Sequence, residues 1–180
     1  SVEEYKTAIG ITLQEANRMR TTIEDLLLLA KLDYQPEIFR FESFDFCDFF
    51  FEICEQARML ASKRKLSIKV FMPEKQAFFK GDPLHLRRLF FNLIDNAMKF
   101  TPSPGQITLA LVVSEKNIIV TISDTGIGIP EKNLPKIFDR FYHADHRSDE
   151  DAVESSGLGL SIVQSIVKIH NGHIRVTSKV

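Results

Sequence analysis

Two amides and a lysine, spaced by about one helical turn, form the chemically most unusual set of residues in the sequence. Asn92, Asn96 and Lys99 lie on the polar face of a predicted helix over residues 82–101. Asparagine is a poor helix former because its amide competes for backbone hydrogen bonds, so two on one face reduce helix stability. Side-chain carbonyl oxygens one turn apart can hold Mg²⁺, which takes its other ligands from water and phosphate. The pattern indicates a Mg²⁺–phosphate site, although a solvated helix face is the simpler explanation of these residues alone.

A second candidate is the segment DTGIGIP, residues 124–130, which follows a predicted strand. Gly126 and Gly128 provide backbone freedom and allow a ligand to approach the main chain closely. We expect Asp124 at the end of a buried strand, where its carboxylate can accept a hydrogen bond from an exocyclic amine. A surface turn after a strand would explain the glycines equally well.

The third candidate is a glycine-rich helix start, GLGL at residues 157–160, which follows a long polar loop over residues 139–156. Loops of that length are usually functional lids or disordered. Glycines at a helix N-terminus leave free N–H groups and a positive dipole end, which suit an anion. The apolar spacing after the glycines predicts a helix that ends at Asn171 and Gly172. The three candidates together indicate a nucleotide.

Two helices and five strands are predicted to position these segments. Asp82 and Pro83 mark the start of the amide-bearing helix, and Asp45 looks like the cap of an earlier helix that runs to about Ser62. Alternating or continuous apolar runs predict strands at residues 39–44, 66–71, 76–79, 106–113 and 117–124. The expected fold is an α/β (α+β) two-layer sandwich, with a mixed sheet covered on one face by helices that begin near Asp45, Asp82 and Leu158.

The N-terminal residues predict a long helix with a narrow apolar seam. Apolar residues recur every three or four positions from Val2 to Ala30, which favours a coiled-coil or bundle partner. Because further leucines widen the seam, a four-helix bundle built from two chains, and hence a homodimer, fits better than a simple two-stranded coil. The alternative is an amphipathic helix that lies on its own domain. We expect a break and a hinge over residues 32–36, because Pro36 disfavours helix at the preceding residue.

Bulk composition excludes several classes of function. With 23 basic and 24 acidic residues, the chain has no electrostatic footprint for nucleic acid or for anionic lipid. The sequence shows neither a membrane-spanning apolar run nor a signal-peptide pattern. Cys47 and Cys54 are expected to be buried thiols of a reducing compartment, and neither has a histidine at zinc-ligand spacing. His143 and His146 are interpreted as residues of a solvated loop.

Four segments, NLIDNAMKF, DTGIGIP, IFDRFYHAD and GLGLSIV, resemble in order and spacing the nucleotide-binding boxes of sensor histidine kinases. These kinases belong to the same superfamily as gyrase and the mismatch-repair ATPases. The resemblance implies the GHKL-type fold, with ATP and Mg²⁺ as cofactors. It implies an ATP-binding catalytic domain over residues 35–180, preceded over residues 1–34 by the second helix of a dimerisation and histidine-phosphotransfer bundle.

The resemblance also assigns roles to individual residues. It implies that Asn92 and Asn96 bind Mg²⁺ and that Lys99 binds the phosphates. The hydrolytic relatives carry a glutamate general base where Asn92 stands, and an amide cannot take a proton from water, so transfer to a protein acceptor is favoured over hydrolysis. The remaining implied contacts comprise Phe100 beside the lysine, Asp124 for the adenine amine, Gly126, Gly128 and Ile129 under the base, Phe138, Arg140, Phe141 and Tyr142 at the near end of the lid, and Gly157, Leu158, Gly159 and Leu160 around the triphosphate.

Three features depart from the family pattern. None of the five histidines precedes an acidic residue on an upstream helix, so the acceptor histidine is not in this sequence. Glu154, Ser155 and Ser156 stand where the family often has glycines, and the chain stops at Val180 in what is expected to be the penultimate strand. We therefore expect a cytoplasmic fragment of a sensor kinase, with a response-regulator receiver domain as partner and membrane contact only through segments outside this sequence. The alternatives are a nucleotide-responsive interaction module without phosphoryl transfer and, less favoured, a glutamate-dependent ATPase.

Overall fold

The structure is a computed structural model that describes residues 1–34, 39–143 and 156–179. Within these residues the α-helices are α1 (Val2–Tyr34), α2 (Phe46–Lys63), α3 (Pro83–Phe100) and α4 (Gly159–Ile169). The strands are β1 (Glu42–Asp45), β2 (Leu66–Phe71), β3 (Phe78–Gly81), β4 (Gly105–Val113) and β5 (Ile118–Asp124). A 3₁₀ helix that the sequence did not predict covers Glu131–Lys136. No described helix has the length and apolarity that a membrane crossing requires.

The strands form two separate sheets. The larger sheet has the order β2-β4-β5, with β2 parallel and β5 antiparallel to β4. The expected mixed sheet and its helical layer are therefore confirmed. The smaller sheet pairs β1 with β3 antiparallel, so that Glu42 lies opposite Gly81 and Asp45 opposite Phe78. Because β1 and β3 lead directly into α2 and α3, this ladder aligns the starts of the two helices.

The core lies between β4 and the inner faces of α2, α3 and α4. Inward residues of β4 alternate with outward ones, and Ile107 and Leu109 have no exposed surface. The predicted apolar face of α3 is buried from Leu86 to Ala97, except that Leu93 is only partly buried. Each fully buried side chain of this size contributes roughly 1.5–3 kcal/mol of transfer free energy. The residues that fill the centre are Phe50, Ile53, Ile94, Leu158, Ile162 and Ile166.

Side-chain caps begin both α2 and α3, as the sequence predicts. The Asp45 carboxylate accepts a hydrogen bond from the Cys47 N–H at 2.9 Å. The Asp82 carboxylate accepts from the His85 N–H at 3.0 Å and from the Arg40 N–H at 2.8 Å, and Pro83 occupies the first turn, where its missing N–H is not needed. Each cap stabilises its helix by about 1 kcal/mol. Cys47 and Cys54 are free and buried, and burial raises the pKa of the Cys54 thiol to about 11.

The long helix α1 lies in two different environments: its last turns are buried, and its earlier turns are exposed. Leu28, Leu29 and Leu32 are buried where the last turns of α1 pack on α4, and the helix continues to Tyr34. The break expected over residues 32–36 is therefore wrong for residues 32–34, and residues 35 and 36 lie outside the described residues. The break was placed from Pro36, whereas tertiary packing extends the helix further. The earlier turns expose the apolar residues Val2, Tyr5, Ile9, Leu13, Met19 and Ile23.

Three predicted strands have different limits in the structure. Phe39 and Phe41 stack on His85 and His170 rather than pair with a strand, so β1 begins only at Glu42. Ala77 exchanges hydrogen bonds with the start of α2, which leaves β3 to begin at Phe78. The expected penultimate strand is wrong for residues 172–179, which form none; there, the Ser178 Oγ accepts a hydrogen bond from the Ile129 N–H at 2.8 Å.

A buried hydrogen-bond network joins the start of α3 to the end of α4. The Asp82 N–H donates to His170 Nε2 at 3.0 Å, and His170 Nδ1 lies 2.8 Å from the Ile166 carbonyl oxygen. These two bonds require a neutral imidazole with its proton on Nδ1. Burial lowers the pKa of His170, and its bond to Ile166 and the nearby Asp82 offset this effect only in part. Burial alone would raise the pKa of Asp82, but hydrogen bonds from His85 and Arg40 outweigh it and the pKa is lowered.

We expect acid to weaken the fold through His170. A neutral histidine whose pKa is lower in the folded than in the unfolded chain contributes full stability above its unfolded pKa, about 6.5. That contribution is lost as the pH falls from there through the folded pKa. Urea unfolding at pH 7.5 and pH 5.5 should show a smaller difference for His170→Gln than for the native chain. His173→Gln, at an exposed position, should keep the native difference, and an unchanged difference in His170→Gln would contradict this account.

Candidate functional site

The polar face of α3 lies between two other segments that the sequence singled out. The helix packs on α4 along one side and on β5 along another. Asn92, Asn96 and Lys99 are all partly buried, whereas Asp95, one position before Asn96, is exposed and paired with Arg64 at 3.6 Å. The polar residues of α3 therefore fall into two groups. Asn92, Asn96 and Lys99 are partly buried, and Asp95 faces solvent.

Asn92 contacts the glycine-rich start of α4 directly. Its Nδ2 donates a hydrogen bond to the Gly159 carbonyl oxygen at 3.3 Å. This bond uses the amide nitrogen and leaves Oδ1 as the acceptor, and an amide oxygen is a ligand suited to Mg²⁺. Asn96 follows one turn later on the same face. In the described ranges, no group of three or more His, Cys, Asp or Glu residues could hold a metal ion.

The DTGIGIP turn is attached to the C-terminal end of α3. The Ile127 N–H donates to the Phe100 carbonyl oxygen at 3.1 Å, and the Gly126 N–H donates to Asp124 Oδ1 at 2.8 Å. The carboxylate is thereby oriented by its own turn, while its second oxygen can still accept from a ligand. These bonds place Asp124 near the same helix that carries Asn92 and Asn96.

The expectation that Asp124 ends a buried strand is wrong. β5 alternates half-buried and exposed residues, and Asp124 itself is exposed. Among the described residues, β5 lies at the edge of its sheet and pairs only with β4. The apolar residues Ile118, Ile119, Val120 and Ile122 therefore do not bury the strand on both faces.

Two glycines of this turn are required by its geometry. A Cβ atom on Gly126 would lie 2.5 Å from the Phe100 carbonyl oxygen, which is too close for any side chain. Gly128 has φ of 73°, in the left-handed region that favours glycine. Ile129 follows, half-buried and bonded to Ser178.

The two ends of the long polar loop meet. The Phe141 N–H donates to the Gly157 carbonyl oxygen at 3.0 Å, and Gly157 has φ of 67°. Among the residues predicted for the near end of the lid, Phe138 and Tyr142 are half-buried while Arg140 and Phe141 are exposed. The predicted lid itself, with His146 and Glu154, lies largely in residues 144–155, outside the described residues.

The start of α4 has no side-chain cap. Leu158 is fully buried and anchors the turn, and Leu160 is half-buried. The N–H groups of the first turn are therefore not used by a side-chain cap. α3 thus contacts the GLGL helix start and the DTGIGIP turn, and the IFDRFYHAD segment contacts GLGL through the bond between Phe141 and Gly157. Two open surface hollows of 420 and 470 Å³ lie elsewhere, beside α2 and at the end of α4, and touch none of these residues.

Sequence reasoning missed a group of residues beside Asn92 and the GLGL helix start. Arg88 lies one turn before Asn92 on α3, and its guanidinium contacts the carboxylate of Asp25 on α1. Ser156, directly before Gly157, donates to the same carboxylate at 3.3 Å. The four-residue spacing of Arg88 from Asn92 was the one available signal for Arg88, whereas nothing in the sequence pairs Asp25 with either residue.

Comparison with known proteins decides the family. Residues 81–180 match the family described as histidine kinase-, DNA gyrase B- and HSP90-like ATPase. The chain belongs to this family. A sensor histidine kinase named CusS, from Escherichia coli O6:H1, is 34% identical over 180 residues, which are 100% of this chain and 37% of that protein. The chain therefore spans little more than a third of this curated relative's length.

Two solved structures share the fold of this chain. Full-length ShkA, in a complex with AMPPNP, superposes with a TM-score of 0.77 at 20% identity, covering 92% of this chain and 34% of that one. Histidine kinase ThkA, in a complex with the response regulator TrrA, superposes with a TM-score of 0.74 at 21% identity, covering 96% of this chain and 46% of that one. The family match supports ATP as the substrate of this domain.

Two neighbouring glycines of the ATPase domain should respond differently to the same substitution. Gly157→Ala places a Cβ 2.8 Å from the Phe141 Cα at a positive φ, so it should reduce the free energy of unfolding. We expect a loss of about 1–3 kcal/mol. In Gly159→Ala the nearest atoms are Asn92 side-chain atoms at 3.7 Å, an ordinary contact, and stability should change by less than about 0.5 kcal/mol. Urea unfolding without nucleotide measures both, and equal losses would contradict the geometry.

Proposed function

We propose that this chain carries the ATP-binding catalytic domain of a two-component sensor histidine kinase and donates the γ-phosphoryl group of Mg-ATP to a histidine. One observation carries the proposal: α3 contacts both the GLGL helix start and the DTGIGIP turn. Its Asn92 bonds to the GLGL helix start, and its last carbonyl bonds to the DTGIGIP turn. The family match over residues 81–180 and the relatives named sensor histidine kinases support the same function.

The proposed roles of the site residues follow their positions on α3. Asn92 and Asn96 hold Mg²⁺ through their amide oxygens, and Lys99 binds the phosphates from the next turn. The metal, when bound, neutralises charge on the β- and γ-phosphates. Asp124 accepts from the adenine amine, and Gly126 and Gly128 let the base approach the backbone. Further contacts are proposed for Phe100, Ile129, Phe138, Arg140, Phe141 and Tyr142, with residues 157–160 around the triphosphate.

Catalysis by such a site is mainly positioning and charge neutralisation. A nitrogen of the acceptor histidine attacks the γ-phosphorus, the bond to the β,γ-bridging oxygen breaks, and ADP leaves. The domain's own contribution is to hold the triphosphate in line with an incoming imidazole. Asn92 cannot act as a general base toward water, so transfer to a histidine is favoured over hydrolysis.

The proposal assigns the two parts of the chain to two domains. Residues 1–34 form the second helix of a dimerisation and histidine-phosphotransfer bundle, and residues 35–180 form the catalytic domain. The exposed apolar residues of the first turns of α1 support a homodimer through that helix. The phosphoryl group would pass to an aspartate of a response-regulator receiver domain, and the domain would work in the cytoplasm. ThkA, a kinase of this fold, is known in a complex with a response regulator.

Replacing Asp124 by asparagine should weaken nucleotide binding without unfolding the domain. The carboxylate accepts from the adenine amine, and an amide is a weaker acceptor that can also present the wrong group. Titration calorimetry with Mg-AMPPNP should show affinity reduced about 10- to 100-fold, which corresponds to one charge-assisted hydrogen bond. Asp95→Asn removes an exposed acid from α3 that faces Arg64, and it should bind as the native chain does.

Label from γ-³²P-ATP should appear on a separate acceptor-helix peptide and not on this chain. The chain is mixed with Mg-ATP and a peptide that carries a histidine followed by an acidic residue, and acid-labile label is measured on each. Nucleotide binding by the native chain with no label on any acceptor would favour an interaction module without phosphoryl transfer. Absence of nucleotide binding altogether would refute the proposed function.

A further inference from the structure

A buried acid on α1 contacts the phosphate end of the proposed nucleotide site. Asp25 is only 8% exposed, although most of the helix before it is exposed. Its Oδ1 accepts from the Arg88 Nη2 of α3, and its Oδ2 accepts from the Ser156 Oγ at 3.3 Å. Both carboxylate oxygens are thus engaged by groups from the domain, which no other described acid of α1 achieves.

The two donors flank the segments proposed to bind phosphate. Arg88 lies one turn before Asn92 on α3, and Ser156 lies directly before Gly157 and also accepts from the Leu158 N–H at 3.3 Å. A guanidinium and a hydroxyl bind a phosphate oxygen by the same hydrogen bonds with which they bind a carboxylate. The Asp25 carboxylate therefore occupies donors that are suited to a phosphate group.

This contact depends on where α1 lies. Leu28, Leu29 and Leu32 are buried against the domain one to two turns after Asp25, so they hold the carboxylate in place. A buried ion pair gains little net stability because the desolvation cost offsets most of the attraction. The side chain of Arg88 is still 34% exposed, so an anion from solvent can reach it. An anion with more charge than a carboxylate can therefore displace Asp25.

We propose that Asp25 is an internal competitor for the nucleotide's terminal phosphate and that Arg88 is a further phosphate-binding residue, which α1 withholds while it is docked. The proposal rests on the proposed function, since it requires that a nucleoside triphosphate binds here. Docking of α1 and binding of the triphosphate then oppose each other. Such coupling is reciprocal: docking of α1 lowers the affinity for the nucleotide, and bound nucleotide weakens the docking of α1 by the same factor.

The test compares nucleotide affinity in the chain of residues 1–180 and in three single variants. Asp25→Asn keeps the shape of the side chain but removes the charge that competes with phosphate. We expect it to bind Mg-AMPPNP about 5- to 10-fold more tightly than the native chain. Arg88→Gln should bind about 10-fold more weakly, although it breaks the same ion pair, because the guanidinium is itself a ligand. Both variants should bind AMP, which lacks the outer phosphates, with native affinity.

Glu24→Gln is the matched control. Glu24 is the neighbouring acid on α1, and among the described residues it pairs only with the exposed Arg20, at 4.0 Å. The affinity of the Glu24→Gln variant for Mg-AMPPNP should therefore equal that of the native chain. Native affinity in Asp25→Asn would overturn the competition, even though the native chain binds nucleotide. Tighter binding in Arg88→Gln would overturn the role of Arg88 as a phosphate ligand. If neither the native chain nor Asp25→Asn binds nucleotide, the proposed function fails as well.

A second measurement needs no substitution and covers the case in which a variant does not fold. Amide hydrogen exchange of residues 25–32 is followed in the native chain with and without saturating Mg-AMPPNP. Faster exchange with nucleotide is expected, because the triphosphate displaces Asp25 and loosens these turns. Equal or slower exchange in the nucleotide-bound chain would overturn the proposal.

Discussion

The helix α3 packs on the core with one side and lines the candidate site with the other, and the rest of the domain depends on its position. Its apolar side completes the core against α2, α4 and the central sheet, while its polar side forms the floor of the candidate site. A rotation or shift of the helix would bury the amides and expose the core residues. Both of its ends are therefore fixed by hydrogen bonds. The Asp82 carboxylate binds the first turn, and the Phe100 carbonyl accepts from the DTGIGIP turn.

The network at the start of α3 extends this restraint to the other elements. Asp82 joins the segment after α1, through the Arg40 N–H, and the end of α4, through His170. Phe39 and Phe41 cover the same place with their rings. The part of the chain that enters the domain, the helix that carries the amides and the helix that begins with GLGL are thus attached at one buried point. Hydrogen bonds to the Asp82 carboxylate offset the desolvation cost of burying it.

The helix α1 shows how one amphipathic sequence can serve two surfaces. Its last turns are buried on the domain, and its earlier turns leave apolar residues exposed. An exposed seam of this length is unusual for a surface that stays in water. The place where the two environments meet is Asp25, which contacts Arg88 of α3 and Ser156 before the start of α4. The position of α1 is therefore linked physically to the site on α3.

Local sequence by itself determined the elements and most of the candidate site. The caps Asp45 and Asp82, the spacing of the α3 face and the glycines of the turns depend on interactions within a few residues, so patterns reveal them. The order of the four motifs predicted the family and the mixed sheet. The binding roles of the individual residues stay predictions until nucleotide binding is measured.

Only the tertiary structure decided the features that depend on distant partners. The continuation of α1 to Tyr34 comes from packing of Leu32 on the domain, and the exposure of Asp124 comes from the edge position of β5. The separate β1–β3 ladder and the irregular path of residues 172–179 depend on which neighbours take the backbone hydrogen bonds. The contact of Asp25 with Arg88 joins residues 63 positions apart in the chain. No local pattern encodes such a pair, because its energy arises only after folding has brought the two helices together.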